Sequence, residues 1–156
     1  MAVQLVFAGS LEFSSDDIVT VTAERAWEAD DVDVVHFSGH FEMRAPDWSL
    51  SGDTAVVYGN LDNPDRVVVE GSPAKISFLR DAQENESSAT QERVDGTASI
   101  IEYFRATDKL KISGAATLTR KDSILNSEII EYDVNTDRYS ASGEGGIDIQ
   151  FTPDND

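Results

Sequence analysis

"VVHFSGHFEM", residues 34–43, alternates apolar and polar side chains through a glycine. Val35, Phe37, Gly39, Phe41 and Met43 share one parity, while His36, Ser38, His40, Glu42 and Arg44 share the other. Successive side chains of an extended chain point to opposite faces, so this pattern is a half-buried strand with one oily side. The same template recurs in "LVFAGSLEF" (5–13), "VVVEGSPAKISF" (67–78), "LKISGAATL" (110–118) and "YSASGEGGIDI" (139–149). The glycines Gly9, Gly39, Gly71, Gly114 and Gly143 fall roughly 30 residues apart, the spacing of a stacked array of supersecondary units.

The duplication is explicit in one place. "IIEYFRATDKLKISG" (100–114) and "IIEYDVNTDRYSASG" (129–143) align without a gap at an offset of 29, and eight of fifteen positions are identical. A second ungapped alignment, at an offset of 75, sets residues 22–58 against 97–133. One such unit cannot bury its own apolar face, but several in register can. Turn signals such as "NLDNPD" and "NTDR" separate the runs. No stretch carries a helical stripe, although "TAERAWEAD" (22–30) has room for a single helical turn.

The fold class read from these patterns is all-β, with stacked antiparallel β repeats in one domain over residues 1–152. Residues 1–17 read as an extra N-terminal strand pair and 153–156 as a frayed tail. The polar segment 80–96 reads as a long hairpin loop. A glycine at one place in each run marks either a common bend, creasing the strands into two facing sheets, or an ordinary hairpin turn.

The inner face then comprises Val19, Val21, Val35, Phe37, Phe41, Met43, Val67, Val69, Ile76, Phe78, Tyr103, Leu110, Ile112, Leu118, Tyr132 and Ile149. Two arrangements of this face remain open. It is a solid core, or the sheets stand apart and leave an apolar slot in which each methylene of a guest chain gains about 0.8 kcal/mol on burial. Periodicity does not separate them.

Composition narrows the partners. Thirty acidic residues against twelve basic ones give a formal net charge of −18, which repels phosphate backbones and argues against nucleic acid as a partner. Hydrophobic residues make up 40% of the chain, enough for an ordinary core, and no run reaches membrane-spanning length. The start "MAVQLVFAGS" has neither a basic n-region nor a long apolar h-region, so it reads as a cytosolic start or as a mature form behind a replaced start codon.

Catalytic chemistry finds no foothold. There is no cysteine, so no thiol nucleophile, disulfide or thiolate metal site. His36 and His40 are the sole histidines, and on one strand they would stand about 13 Å apart, too far to chelate one metal. The carboxylates alternate with apolar residues or sit in turns, as surface charges do. "SGEGGIDI" (142–149) lacks the G-G-x-G-x-D spacing of calcium-binding repeats, and "DDVD" (30–33) reads as a solvated turn. The expectation is a protein that is not an enzyme, with no catalytic residues, no metal and no cofactor.

Several stretches occur in a meaningful order: "IVTVTAERAW" (18–27), "VVHFSGHFEM", "WSLSGDTAVVY" (48–58), "VVVEGSPAKISF", "VDGTASIIEYFRATDKLKISGAATL" (94–118) and "NSEIIEYDVNTDRYSASG" (126–143). The most specific are the G-x-P-A-x-hydrophobic segment at Gly71–Ile76 and the V-D-G-x-A segment at Val94–Ala98. In this series the chain, from Ile18 to Phe151, resembles the LptA/OstA type of periplasmic lipopolysaccharide-transport proteins. The resemblance implies an elongated, twisted β-jelly roll, open at both ends, whose groove carries the acyl chains of lipid A. It also implies head-to-tail self-assembly, with export proteins of the inner and outer membranes as further partners and a periplasmic location after loss of a signal peptide. Carried over by position, Ile76 and Tyr103 point into the groove, and Val19 and Val21 lie on the entry strand. Residues 1–17 and the long 80–95 segment depart from the family's short form, and −18 is an unexpected charge for a carrier of anionic lipid. The second reading is a structural or adhesive β-repeat module with a fully packed core.

Overall fold

The computed structural model describes residues 18–29, 33–61, 63–81 and 91–153. The expected strand pair at 1–17, with Gly9, and the last three residues lie outside the described residues. Among the described residues ten antiparallel strands form one sheet: β1 (Thr20–Thr22), β2 (Arg25–Glu28), β3 (Val34–Ala45), β4 (Trp48–Asn60), β5 (Asn63–Asp81), β6 (Gln91–Phe104), β7 (Lys109–Arg120), β8 (Ser123–Asp133), β9 (Arg138–Ser142) and β10 (Asp148–Phe151). Each long strand pairs with its sequence neighbour, so the topology is a meander.

What turns this meander into two facing leaves is a row of irregularities at one level. The register slips between Ser38 and Phe41 in β3, Ser51 and Thr54 in β4, Glu70 and Ala74 in β5, Thr97 and Ile100 in β6, and Ser113 and Ala116 in β7. A bulge bends its strand and raises the local twist, and five aligned bulges bend the sheet into a crease. Gly39 and Gly114 open the two-residue bulges of β3 and β7, with φ of +83° and +86°. Their left-handed backbone is unfavourable for a side chain, and a Cβ on Gly114 would stand 2.7 Å from the Ser99 side chain. The bend reading of these glycines holds.

Both outer rungs are broken at the same level. β1 and β2 pair with the two arms of β3, and Glu24 between them donates its N–H to the carbonyls of Ser38 and Gly39. β10 and β9 pair likewise with the two arms of β8. The first leaf thus holds β1, the C-terminal arms of β3, β5 and β7, the N-terminal arms of β4, β6 and β8, and β10. The second leaf holds the complementary arms with β2 and β9. The described hairpin tips lie on the side opposite the crease.

Three expectations need correction. Residues 25–28 of "TAERAWEAD" form strand β2, not a helical turn, because they pair with the second-leaf arm of β3. The 80–96 segment is not one loop: β5 runs to Asp81, β6 starts at Gln91, and Val94 is buried. The alternation through 139–151 is not one strand but two, separated by a turn at 144–145.

Candidate functional site

The inner faces of the two leaves meet in a single apolar cluster. Val19, Phe37, Phe41, Met43, Val67, Val69, Ile76, Phe78, Tyr103, Leu110, Ile112, Leu118 and Tyr132 all lie in it, and Val21 and Val35 pack against it half-buried. Ile149 does not join; it sits on β10 at 48% exposure. The sequence reading missed Leu50, Ala55, Val57, Ala74, Ile101, Leu125, Ile130 and Val134, which are equally buried.

The middle of this interior is filled by the chain's own side chains. A Cβ placed on Gly96 of the first leaf would lie 3.6 Å from the Ile112 Cδ1 of the second, ordinary contact distance. The rings of Phe78 and Tyr132, also on opposite leaves, stand 6.0 Å apart and tilted.

The two ends differ from the middle. At the N-terminal end a hollow of about 490 Å³ is lined by Ala26, Trp27, Glu28, Asp33, Val35, Phe37 and Leu61, among others. At the C-terminal end the inward parity of β9 and β10 continues into solvent: Tyr139, Ile147, Ile149 and Phe151 are exposed, Phe151 to 67%. Among the described residues β9 and β10 each pair only with β8. Unpaired backbone beside exposed apolar side chains is a template for strand addition.

Polar groups gather on the side opposite the crease. Tyr103 donates its hydroxyl hydrogen to Asp108 at 2.6 Å, and Tyr132 donates to Asp137, so the duplicated fifteen residues make the same hairpin bond twice. Both aspartates have positive φ, at +52° and +58°. Burial above all, then the hydrogen bond to Asp137, raises the Tyr132 hydroxyl above its ordinary pKa of 10.0, with Arg80 and Arg120 opposing. Asp137 also meets Arg120 at 3.0 Å and Arg80 at 3.5 Å. Arg80 reaches Glu92 at 3.3 Å, and Lys121 reaches Glu92 at 3.1 Å. His36 stacks on Trp27 on the outer surface, and His40 pairs with Glu24, so the two histidines serve separate contacts.

The family model described as LptA/(LptD N-terminal domain) LPS transport protein matches residues 20–138. Among solved structures, the crystal structure of LptH from Pseudomonas aeruginosa superposes with a TM-score of 0.72 at 18% sequence identity. That structure is described as the LptA-homologous periplasmic component of the lipopolysaccharide transport device. The match covers 86% of this chain and 95% of that one, and at this identity it carries the fold alone. No curated protein matches in sequence.

Proposed function

This chain belongs to the LptA/LptD N-terminal-domain family of lipopolysaccharide transport proteins, and from that membership we propose that it is a non-enzymatic, periplasmic carrier of lipopolysaccharide. Its apolar interior takes the acyl chains of lipid A. The observation that carries the reading is the continuity of that interior, which runs from Val19 of the first rung to the half-buried Ala141 of the last and ends in exposed apolar side chains. A fatty tail moving along such a path exchanges one apolar wall for the next, at about 0.8 kcal/mol per buried methylene.

Binding by apolar contact also accommodates the charge. Burial of hydrocarbon is indifferent to sign, and the phosphates, left in solvent, feel a −18 protein only within a screening length of about 8 Å. We assign β9 and β10 to head-to-tail contact with the opposite edge of a second copy, giving an open filament toward partners at the two membranes.

The filled middle favours one other reading, a packed β-repeat module that carries nothing. Photo-crosslinking separates the two. A photoreactive side chain at Ile76 or Tyr103 should form adducts with lipopolysaccharide, and one at the outward Lys75 should not. Adducts at Lys75 alone, or none anywhere, would retire the carrier reading.

A further inference from the structure

With the leaves in contact along the middle, a guest chain enters only where they part. Several side chains resist parting. Asp137, in the β8–β9 turn of the second leaf, lies between Arg80 and Arg120, which end the β5 and β7 arms of the first leaf. Arg120 Nη1 also donates to the Asp137 backbone carbonyl at 2.7 Å, and its guanidinium lies 4.9 Å from the centre of the Tyr139 ring. Tyr132 fixes the Asp137 carboxylate from behind. The Arg80 side chain is only 9% exposed, and among the described residues its buried Nε finds no acceptor. A charge so placed, held by Asp137 and Glu92, depends on both partners and is costly to keep when either lets go.

We infer that Asp137, gripped by Arg80 and Arg120, is a clasp that holds the open side of the jelly roll shut over its C-terminal half, and that acyl chains pass sideways into the interior when it releases. The inference rests on the carrier reading for its second part only. The clasp is an interaction between leaf tips, independent of any lipid. Val134, fully buried in the same turn, shows what the clasp keeps in place: release lifts an apolar plug together with Asp137. Because the groups are mostly buried, moderate salt leaves the clasp closed, whereas loss of either partner opens it.

The chain contains no cysteine, so two introduced ones report without background. Asp122→Cys and Thr136→Cys place spin labels on exposed tips of opposite leaves. Pulsed electron spin resonance on the full chain should give one narrow distance distribution, with a longer component appearing in Asp137→Asn. Arg120→Gln, at a more exposed position, should show the same component more weakly and serves if Asp137→Asn fails to fold. Stopped-flow uptake of the neutral dye N-phenyl-1-naphthylamine should accelerate about tenfold in Asp137→Asn, the scale of one charged hydrogen bond. Bridging the two cysteines with a bismaleimide should return uptake to the slow rate. Unchanged distances in a folded variant would overturn the clasp. Wider distances with uptake indifferent to the bridge would overturn sideways passage. If no form takes up dye or lipopolysaccharide, the carrier reading falls, while the distances still decide the clasp.

Discussion

Ile112→Ala tests whether the two leaves touch. Ile112 is 2% exposed on β7, and its Cδ1 reaches across the interior toward the backbone of Gly96. Truncation removes three carbons from a site walled by two bent sheets, whose aligned bulges leave the backbone little freedom to collapse inward. Substitutions of this kind cost about 2–5 kcal/mol. In a chain of this length each kcal/mol lowers the midpoint by about 2–4 °C, so the fall should be about 4–20 °C. Thermal melts followed by circular dichroism measure it directly. The same cavity is apolar and the size of a few methylenes, so an acyl guest should fit it better than it fits the native interior. At a hundred times its Kd, such a ligand restores about 2.7 kcal/mol by mass action. The expected pattern is a deep loss without lipid and a partial recovery with it. A loss below about 1 kcal/mol would refute the packing argument, because it would mean that Ile112 already faces open space.

Gly114→Ala should destabilise by about 1–3 kcal/mol in urea unfolding, since the new Cβ meets Ser99 and the backbone stays left-handed; a neutral result would remove the crease from its cause. Tyr132 has a folded pKa above its unfolded value of 10.0, so its contribution is whole below pH 10.0 and is lost as pH climbs beyond it. Stability should therefore decline in alkali, and Tyr132→Phe should flatten that decline; an unchanged slope would show that the hydroxyl is not shielded. Ile149→Lys, at an exposed position on β10, should leave the stability within about 0.5 kcal/mol of the parent while abolishing concentration-dependent elongation in light scattering. Persistent elongation would move the self-contact away from this edge.

The strands and their crease were legible because they depend on local pattern. In β3 and β7 the bulge spans two residues, so inward parity is the same on both arms: Phe37 and Phe41, Ile112 and Ala116. Alternation reads straight through. In β4, β6 and β8 parity flips at the crease, from Leu50 to Ala55, Ala98 to Ile101 and Ser127 to Ile130. A single alternating template then loses one arm, as with Ala98 of β6 and Leu125 of β8, and on the other arm the doubled isoleucine hid Ile101 and Ile130 beside Tyr103 and Tyr132. The twin isoleucines of "IIEY" do not say which one points inward; only pairing with Tyr103 or Tyr132 does. Val134 gave no signal at all, since a valine in a turn is buried here by the way the hairpin tip folds over. Asp137, Arg80 and Arg120 are distant in sequence and converge only after two leaves have bent toward each other, so no spacing rule finds them.

The duplicated fifteen residues show how one module acquires a second task. Both copies supply a hairpin of the second leaf, and both close it with a tyrosine hydroxyl on an aspartate five residues on. That bond is what the shared "IIEY" and "TD" preserve, since it needs the tyrosine on the inward face and the aspartate in a left-handed turn. The second copy differs in its surroundings. It lies against the last rung, where the first-leaf arms end in Arg80 and Arg120, and so its aspartate serves the hairpin and the opposite leaf at once. A local turn bond is thereby coupled to the separation of the leaves. Changing Asp137 should perturb a hairpin and the width of the interior together. That substitution, measured in the spin-labelled background, distinguishes a repeat that only stacks from one that also latches.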